Sequence, residues 1–372
     1  MTGELRLGTR GSQLALWQAN AVAARLRETG GFSCRIVVIK TTGDRLQEAP
    51  LSEVGGKRLF VKEIEDALLL GDIDLAVHSS KDMPAVLPAG LSIGAVLPRE
   101  DPLDAIVLPQ KVRLKPDTVP ETVRLKPDTT YEQGTYTRGN QARDPGVVSG
   151  FSLTVEEGFS RIVAALGESP TIGTSSVRRI AQLTRLFPGA TFMPIRGNLD
   201  TRLRKLDDGA PARPGAFDAI VLAAAGLRRL GMASRISATF PPSACVPAPG
   251  QGIVAIEIRD GDANVGAAVR TVDDRLAHAA LDAERAVVEA LGGGCQTPIG
   301  ALASPLSNDE LDLIAVVVSL DGSRAIYGTA RGKADQAVAI GARVGAQLLA
   351  DGAGGILADA HRMQGAVQGI QP

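Results

Sequence analysis

The sequence DLAVHSSKDMP, from Asp74 to Pro84, decides the organisation that we predict for the whole chain. It begins in a short apolar run, residues 73–77, which is typical of a buried strand. The run then turns polar and reaches Lys81 and Asp82, and Pro84 prevents regular structure from continuing. Ligands bind at the carboxyl ends of strands in open α/β sheets, so Lys81 and Asp82 are predicted to face a cleft. The alternative is a solvated turn with a chance ion pair.

Composition and charge restrict the possible partners. The chain has 372 residues, of which 44% are hydrophobic and 22% charged, as in a soluble globular protein of two or three domains. Aromatic residues make up only 3% and the net charge is -1. We therefore expect no nucleic-acid or membrane partner, and any anion site must come from locally clustered arginines.

The termini and the cysteines indicate a cytoplasmic protein without a metal site. The N-terminal MTGELRLGTR lacks the apolar core of a signal peptide, and no apolar run is long enough to span a membrane. The three cysteines, Cys34, Cys245 and Cys295, cannot all pair, and none stands in a metal-binding spacing.

The N-terminal third alternates strands and helices, which predicts a doubly wound α/β domain. A strand ending at Thr9 leads into a predicted helix, QLALWQANAVAARLR at 13–27, whose apolar stripe consists of Leu16, Ala19, Ala23 and Leu26. Arg10 and Ser12 therefore lie at a strand-to-helix junction. Backbone N–H groups at such a junction favour an anion, although ordinary capping by Ser12 explains the same pattern. After a strand at residues 34–40, a glycine-containing segment carrying Lys57 leads to a helix that starts near Lys62, and it could cover the cleft.

A second α/β unit is interrupted by a polar insert at about 109–149. The insert contains VRLKPDT twice, at 112–118 and 123–129, and shows no helical or strand periodicity. It is predicted to be an exposed, disordered loop that arose by tandem duplication, with a partner-binding tail as the alternative.

The second unit also contains several arginines that follow predicted strands. In TIGTSSVRR, Thr174 and Ser176 precede Arg178 and Arg179 at the start of a helix, where N–H groups, hydroxyls and guanidinium groups converge. Further arginines follow the next strands: Arg196, Arg202, Arg228 and Arg229. Because an arginine fork matches a carboxylate, the repetition favours a polyanion or polycarboxylate cleft over isolated surface charges.

The C-terminal region differs in character. Residues 241–252, PPSACVPAPGQG, are predicted to be a hinge or crossover before an apolar strand. A small α+β domain follows from about residue 275, with a hairpin joined at Asp321-Gly322. Its loop GGGCQTP is predicted to present Cys295 beside three glycines, where a bulky group can approach the thiol, with an incidental thiol as the alternative.

Taken together, these stretches closely resemble porphobilinogen deaminase, also called hydroxymethylbilane synthase. The resemblance rests on motifs in the family's order and covers nearly the whole chain except about 109–149: GTRGSQLALWQ, EVGGKRLFVKE, DLAVHSSKDMP, REDPLDA, GTSSVRR, RGNLDTRL, LAAAGLRRLG, PAPGQG and GGCQTPIG. It implies two doubly wound lobes like those of a periplasmic solute-binding protein, plus a small C-terminal α+β domain. The implied limits are 1–99 with 253–270, 104–246 and 275–372.

The resemblance also implies a transferase of tetrapyrrole and heme biosynthesis. Such an enzyme joins two substrate molecules into a dipyrromethane cofactor, which would be attached through a thioether to Cys295. It adds four porphobilinogen molecules head to tail with loss of ammonia and then releases hydroxymethylbilane by hydrolysis. A monomer is expected.

Site roles follow from the motif positions. The resemblance makes Asp82 the catalytic residue and places Lys57 and Lys62 on a mobile loop. The implied cofactor-binding residues are Cys295, Lys81, Arg10, Ser12, Thr174, Ser176, Arg178, Arg179 and Arg202. The implied substrate-binding residues are Arg10, Arg196, Arg202 and Arg229. No metal is expected.

The sequence departs from the family at three positions, Gln13, Arg58 and Ser80, none of which removes a charged group of the site. A non-catalytic anion-binding protein on the same two-lobed fold is the competing hypothesis.

Overall fold

The computed structural model describes residues 4–45, 61–110, 153–209, 216–294 and 296–368. The strands are β1 (Leu5–Thr9), β2 (Cys34–Val38), β3 (Leu75–Ser79), β4 (Leu91–Val96), β5 (Asp104–Val107), β6 (Thr171–Gly173), β7 (Thr191–Met193), β8 (Ala219–Ala223), β9 (Ala238–Thr239), β10 (Val254–Arg259), β11 (Ile299–Leu306), β12 (Glu310–Val318) and β13 (Ala325–Lys333). The helices are α1 (Gln13–Gly30), α2 (Thr42–Arg45), α3 (Lys62–Leu70), α4 (Leu153–Leu166), α5 (Val177–Leu186), α6 (Leu199–Asp207), α7 (Ala224–Arg229), α8 (Ala263–Arg270), α9 (Arg275–Ala290), α10 (Ala337–Ala350) and α11 (Ala353–Gln368).

The first sheet has the order β2-β1-β3-β10-β4. The strands β2, β1 and β3 are parallel, and β10 returns from far along the chain to run antiparallel between β3 and β4. The helix α1 packs on this sheet through a stripe that includes Ala19, Ala23 and Leu26, as its apolar spacing predicts. The helix begins at the N-cap Ser12 and is followed by Gly31 in the left-handed conformation, with φ 67°.

The second sheet repeats this plan with the order β7-β6-β8-β5-β9. The strands β7, β6 and β8 are parallel, whereas β5 runs antiparallel between β8 and β9. Apolar residues of α4 and α5, including Ile162 and Leu183, cover one face of the sheet, and Leu203 and Leu206 of α6 cover the other. Helices on both faces make this a doubly wound lobe, so the predicted two-lobed α/β class is confirmed.

The C-terminal domain is a three-stranded antiparallel sheet, β11-β12-β13, covered by α9, α10 and α11. The predicted hairpin is confirmed, because Val318 of β12 pairs with Ala325 of β13 and the turn between them contains Gly322 with φ 71°. The turn packs on the second lobe, where Arg185 of α5 donates a hydrogen bond to the carbonyl of Gly322 at 2.8 Å.

Two chain segments, residues 97–103 and 240–253, cross between the lobes side by side. The amide of Glu100 donates to the carbonyl of Gly252 at 3.0 Å, and Nε of Arg99 donates to the carbonyl of Gln251 at 2.9 Å. The C-terminal domain holds both crossings, because Glu284 of α9 pairs with Arg99 and also accepts from the amide of Gly250 at 2.6 Å. The segment expected to be a hinge is therefore tied to all three parts of the molecule.

We propose the domain limits 1–99 with 253–270, 104–246 and 275–372, since each sheet takes its strands from one of these sets. Residues 111–149 of the insert, and with them both VRLKPDT repeats, lie outside the described residues. Within the described part of the chain, no helix is long and apolar enough to cross a membrane.

Candidate active site

The carboxyl ends of the parallel strands in the two lobes face a common cleft, which contains two neighbouring cavities. The larger cavity has a volume of about 340 Å³ and lies where β1, β3, β6, β7 and β8 end. Among the described residues that line it, six are cationic: Arg10, Lys81, Arg179, Arg196, Arg202 and Arg229. Only Asp82 and Asp200 of this described lining are acidic, so the larger cavity suits a ligand with several carboxylates.

The smaller cavity, of about 90 Å³, lies between the lobes and the C-terminal domain. It is lined by Ser80, Lys81, Ser176, Arg178, Arg285, Gly294 and Thr297, together with apolar residues. Gly294 directly precedes Cys295, which itself lies outside the described residues. The chain position next to the predicted attachment cysteine thus borders this cavity.

Lys81 lines both cavities and connects them. It belongs to a single 3-10 turn, Ser80–Asp82, that directly follows β3. The pKa of its ammonium is lowered from the ordinary 10.5 to about 8, chiefly by burial and also by the nearby Arg179 and Arg178, whereas Asp82 and Asp104 oppose this. Among the hydrogen bonds and ion pairs of the described residues, none involves the Lys81 ammonium, so its charge is left for a ligand.

Asp82 is exposed and lines the larger cavity. The described ion pairs do not join it to Lys81, so the chance ion pair considered from the sequence is not present. A carboxylate among six cations, held by the end of a buried strand, is positioned for interaction with a positively charged or N–H-bearing part of a ligand.

Ser12 caps α1, because its Oγ accepts from the amide of Ala15 at 3.3 Å. It also lines the larger cavity beside Arg10, so its capping role is compatible with a place in the cavity wall. On the opposite wall, Nε of Arg202 donates to the carbonyl of Gly197 at 2.8 Å. Burial lowers the pKa of Arg202 to about 10, and the charge of Arg179 contributes.

Arg178 and Arg179 differ from the two free forks that the sequence predicts. Both side chains are buried, and both pair with Asp104, at 2.7 Å for Arg178 Nη1 and 2.7 Å for Arg179 Nη2. They diverge, because Arg178 lines the smaller cavity and Arg179 the larger. A large part of each guanidinium is therefore engaged with the protein interior, because a buried charge requires a partner.

Three other predicted residues lie away from the cavities or outside the description. Thr174 is buried and lines neither cavity, and its Oγ1 accepts from the amide of Ser176 at 3.2 Å. Lys62 is exposed on α3, where it pairs with Asp66 at 2.7 Å, and it lines neither cavity. Lys57 lies outside the described residues.

The two described cysteines are poor attachment points. Burial raises the pKa of Cys245 to about 12, and its Sγ lies 3.5 Å from the Asp104 carboxylate. Burial also raises the pKa of Cys34, which is partly buried and packs against the hydrophobic core of the first lobe. Within the described residues, no cluster of His, Cys, Asp and Glu is placed to hold a metal ion.

Sequence reasoning missed the polar residues that support the site. Asp104 and Gln251 stand behind the arginines, and Gln18 donates from α1 to Oγ of Ser79 at 2.8 Å. One signal was readable: Asp104 begins an apolar strand, and a carboxylate in such a run requires a buried partner. The identity of that partner was not readable.

These features define a two-lobed α/β protein with a cationic cleft for a polycarboxylate ligand. Residues 5–130 and 131–267 match the family model described as porphobilinogen deaminase, dipyromethane cofactor binding domain. Residues 279–350 match the model of the porphobilinogen deaminase C-terminal domain. The chain belongs to the porphobilinogen deaminase family.

Curated relatives support this assignment over nearly the full chain. The porphobilinogen deaminase of Syntrophobacter fumaroxidans is 40% identical over 96% of this chain and 98% of that one. Those of Bordetella parapertussis and Moorella thermoacetica are 42% and 40% identical, over 95% and 98% of this chain and 96% and 99% of theirs. A solved methionine-binding protein, MetQ, aligns with a TM-score of 0.38 and 11% identity over 72% of this chain and 89% of that chain.

The family assignment makes the chain a transferase of tetrapyrrole biosynthesis with a dipyrromethane cofactor. The non-catalytic anion-binding alternative is not favoured. The residues present fit the cofactor: Lys81, Arg178 and Ser176 offer donors for carboxylates around the smaller cavity. In the same wall, Oγ of Ser80 is buried and has no hydrogen-bond partner among the described residues.

Proposed function

We propose that the two cavities together form one condensing site for porphobilinogen. The dipyrromethane attached through Cys295 would extend from the smaller cavity into the larger one, and the larger one would also hold the incoming pyrrole. The observation that carries this proposal is Lys81, whose ammonium lines both cavities and has no hydrogen-bond or ion-pair partner among the described residues. When bound, the dipyrromethane supplies the pyrrole carbon to which substrate units are joined.

The cations hold carboxylates. Each pyrrole of the substrate carries an acetate and a propionate, so a growing chain gains two negative charges with every unit. We assign cofactor binding to Lys81, Arg10, Ser12, Thr174, Ser176, Arg178, Arg179 and Arg202, and substrate binding to Arg10, Arg196, Arg202 and Arg229. Thr174 would act through Ser176, because it hydrogen-bonds the Ser176 amide and lines neither cavity.

Asp82 provides the opposite charge. Loss of ammonia from porphobilinogen leaves a cationic pyrrole, and a fixed carboxylate beside that position stabilises the developing charge. The structure supports this role because Asp82 projects from a buried strand end into a cavity otherwise dominated by cations. The substrate carboxylates bound by the arginines would orient the pyrrole toward Asp82.

The test is the intact mass of the purified full-length chain. We expect an adduct of two pyrrole units, a ladder of heavier species after brief exposure to porphobilinogen, and consumption of porphobilinogen with release of ammonia. Cys295→Ser should lack the adduct, whereas the matched change Cys34→Ser should retain it. An unmodified chain with full activity would refute the attachment, and a chain that neither carries the adduct nor consumes porphobilinogen would refute the function.

We further propose a cytoplasmic monomer that binds neither nucleic acid nor membranes, and a mobile loop that carries Lys57 and ends at Lys62, the first residue of α3. The net charge of -1 and the low aromatic content support the absence of a nucleic-acid surface. Light scattering on the purified chain would test the monomeric state directly.

A further inference from the structure

Asp104, the first residue of β5, is completely buried behind both cavities. Its Oδ2 accepts a hydrogen bond from Nη1 of Arg178 at 2.7 Å. Its Oδ1 accepts from Nε and Nη2 of Arg179, at 2.9 and 2.7 Å. One carboxylate therefore engages two guanidinium groups, one through each oxygen.

Each arginine has a second anchor on the backbone. Nη1 of Arg178 also donates to the carbonyl of Val246 at 2.8 Å, and Nη1 of Arg179 donates to that of Val221 at 2.8 Å. With two anchors apiece, the planar groups have fixed directions. Arg178 then borders the smaller cavity and Arg179 the larger.

Asp104 is also tied to the crossing between the lobes. Nε2 of Gln251 donates to Asp104 Oδ1 at 2.9 Å and to the carbonyl of Pro102 at 2.7 Å. Pro102 lies on the outgoing crossing and Gln251 on the returning one. Through Asp104, the orientation of both arginines is therefore linked to the two crossings between the lobes.

Arg178, Arg179 and Asp104 together carry one net positive charge, which is available to a ligand. Two buried guanidinium groups face one buried carboxylate, whose pKa is held well below its usual range by these neighbours against the effect of burial. Asp104 therefore remains ionised across the working pH range and cancels one of the two positive charges.

We propose that Asp104 is a positioning residue shared by both cavities, which aims Arg178 at cofactor carboxylates in the smaller cavity and Arg179 at ligand carboxylates in the larger one, where cofactor and incoming substrate meet. The inference rests on the proposed function of the two cavities. It differs from a purely structural role, in which Asp104 only neutralises buried charge. A structural role affects stability alone, whereas a positioning role affects ligand affinity at constant charge.

The first experiment compares Asp104→Asn and Asp104→Glu with the parent holoenzyme. Both variants alter the direction of the arginines, and Asp104→Glu retains the charge, so it yields folded protein if loss of charge unfolds Asp104→Asn. We expect KM for porphobilinogen to rise about tenfold or more, as for a misaligned charge-assisted contact, with a smaller change in kcat. The fraction of chains carrying the cofactor, measured by intact mass, should fall below half of the parent value.

The matched control is Asp207→Asn. Asp207 also pairs with an arginine of the second lobe, Arg235 at 2.8 Å, but it lines neither cavity. It should lower the thermal midpoint while leaving KM and cofactor content at the parent values.

A charge-balanced pair of variants separates the two roles. Arg178→Gln with Asp104→Asn has the same net charge as the parent, and Arg179 then lacks its carboxylate. If Asp104 positions Arg179, KM of the double variant exceeds that of Arg178→Gln alone. Equal KM in these two proteins would overturn the proposal, and so would parent-like KM and cofactor content in both Asp104 variants. Failure of the proposed function is recognised separately, because the parent itself would then lack the adduct and the activity.

Discussion

The guanidinium carbon of Arg229 lies 5.6 Å from the centre of the Trp17 ring. Trp17 belongs to α1 of the first lobe and Arg229 to α7 of the second, so the contact spans the cleft. Nη2 of Arg229 also donates to the carbonyl of Gly252 on the crossing, at 2.6 Å. Arg229 thus touches both lobes and the hinge while lining the larger cavity.

This contact predicts an optical signal for substrate binding, because Trp17 is the only tryptophan in the chain. A carboxylate that draws Arg229 toward the cavity weakens the cation–π contact, so Trp17 fluorescence should change on addition of porphobilinogen. Arg229→Gln should abolish the change and raise KM by about tenfold, since a charge-assisted hydrogen bond contributes about 1.5–3 kcal/mol.

The adjacent Arg228 provides the control. It is exposed and pairs with Asp101 at 3.0 Å, outside both cavities. Arg228→Gln should leave the fluorescence change and KM as in the parent. A change that persists in Arg229→Gln would mean that Trp17 reports another event.

The lowered pKa of Lys81 predicts a pH dependence of cofactor assembly. The ammonium is charged below a pKa of about 8, so affinity for a carboxylate ligand should be full below pH 8 and fall as pH rises through 8. Assembly of the cofactor by the apo chain, followed by intact mass between pH 6.5 and 9.5, should slow on the alkaline side. Lys81→Gln should be slow throughout and lose this alkaline limb.

The same shift has the opposite sign for stability. The unfolded Lys81 keeps its ordinary pKa of 10.5, so between about pH 8 and 10.5 the unfolded state binds more protons than the folded one. Its contribution to the free energy of unfolding therefore increases with pH over that range. Reduced assembly above pH 8 without loss of folded protein would be the combined result, and assembly that stays constant to pH 9.5 would contradict it.

Local patterns predicted the elements, whereas the support of the site depends on long-range contacts. The stripe of α1, the cap at Ser12 and the hairpin at Gly322 could be read from neighbouring residues, because they depend on local spacing. Asp104 lies 74 residues before Arg178, and Gln251 lies 147 residues beyond Asp104, so a single sequence does not reveal their hydrogen bonds. For the same reason, the sequence did not show that the guanidinium groups of Arg178 and Arg179 already pair with Asp104.

The sequence also did not predict that the cleft is divided into two cavities. The motifs that carry Lys81 and Gly294 belong to different domains, and only the packing of the C-terminal domain on the crossings brings them to one cavity. Strand ends were predicted to within two residues: the run at 73–77 proved to be a strand at Leu75–Ser79.

The two crossings approach each other so closely at Gly252 that the position leaves no room for a side chain. Its φ is 88°, and a Cβ built there would lie 2.2 Å from the carbonyl oxygen of Glu100. Gly252→Ala should therefore lower the free energy of unfolding by more than about 1 kcal/mol, because both the backbone conformation and the contact are unfavourable. Thermal unfolding measures this, with Gly261→Ala as control, since Gly261 has φ 77° but open space around its Cβ position. Equal losses in the two variants would show that the conformation alone matters.

Asp82 is predicted to serve the chemistry and not the fold. It is exposed, and no described ion pair or hydrogen bond holds it, so Asp82→Asn should change the free energy of unfolding by about 1 kcal/mol at most. Turnover should fall by about a hundredfold or more, as on loss of a preorganised electrostatic group. Asp82→Glu keeps the charge but displaces it by one methylene, so its activity should lie between those of Asp82→Asn and the parent.

Single-turnover assays on chains that already carry the cofactor separate this step from cofactor assembly. Asp200→Asn is the matched control, because Asp200 lies in the wall of the same cavity but pairs with Arg204 at 3.4 Å. Its loss should leave turnover within a few-fold of the parent. Equal single-turnover rates in Asp82→Asn and the parent would exclude charge stabilisation by Asp82, since the substituted amide retains shape and hydrogen bonding but no negative charge.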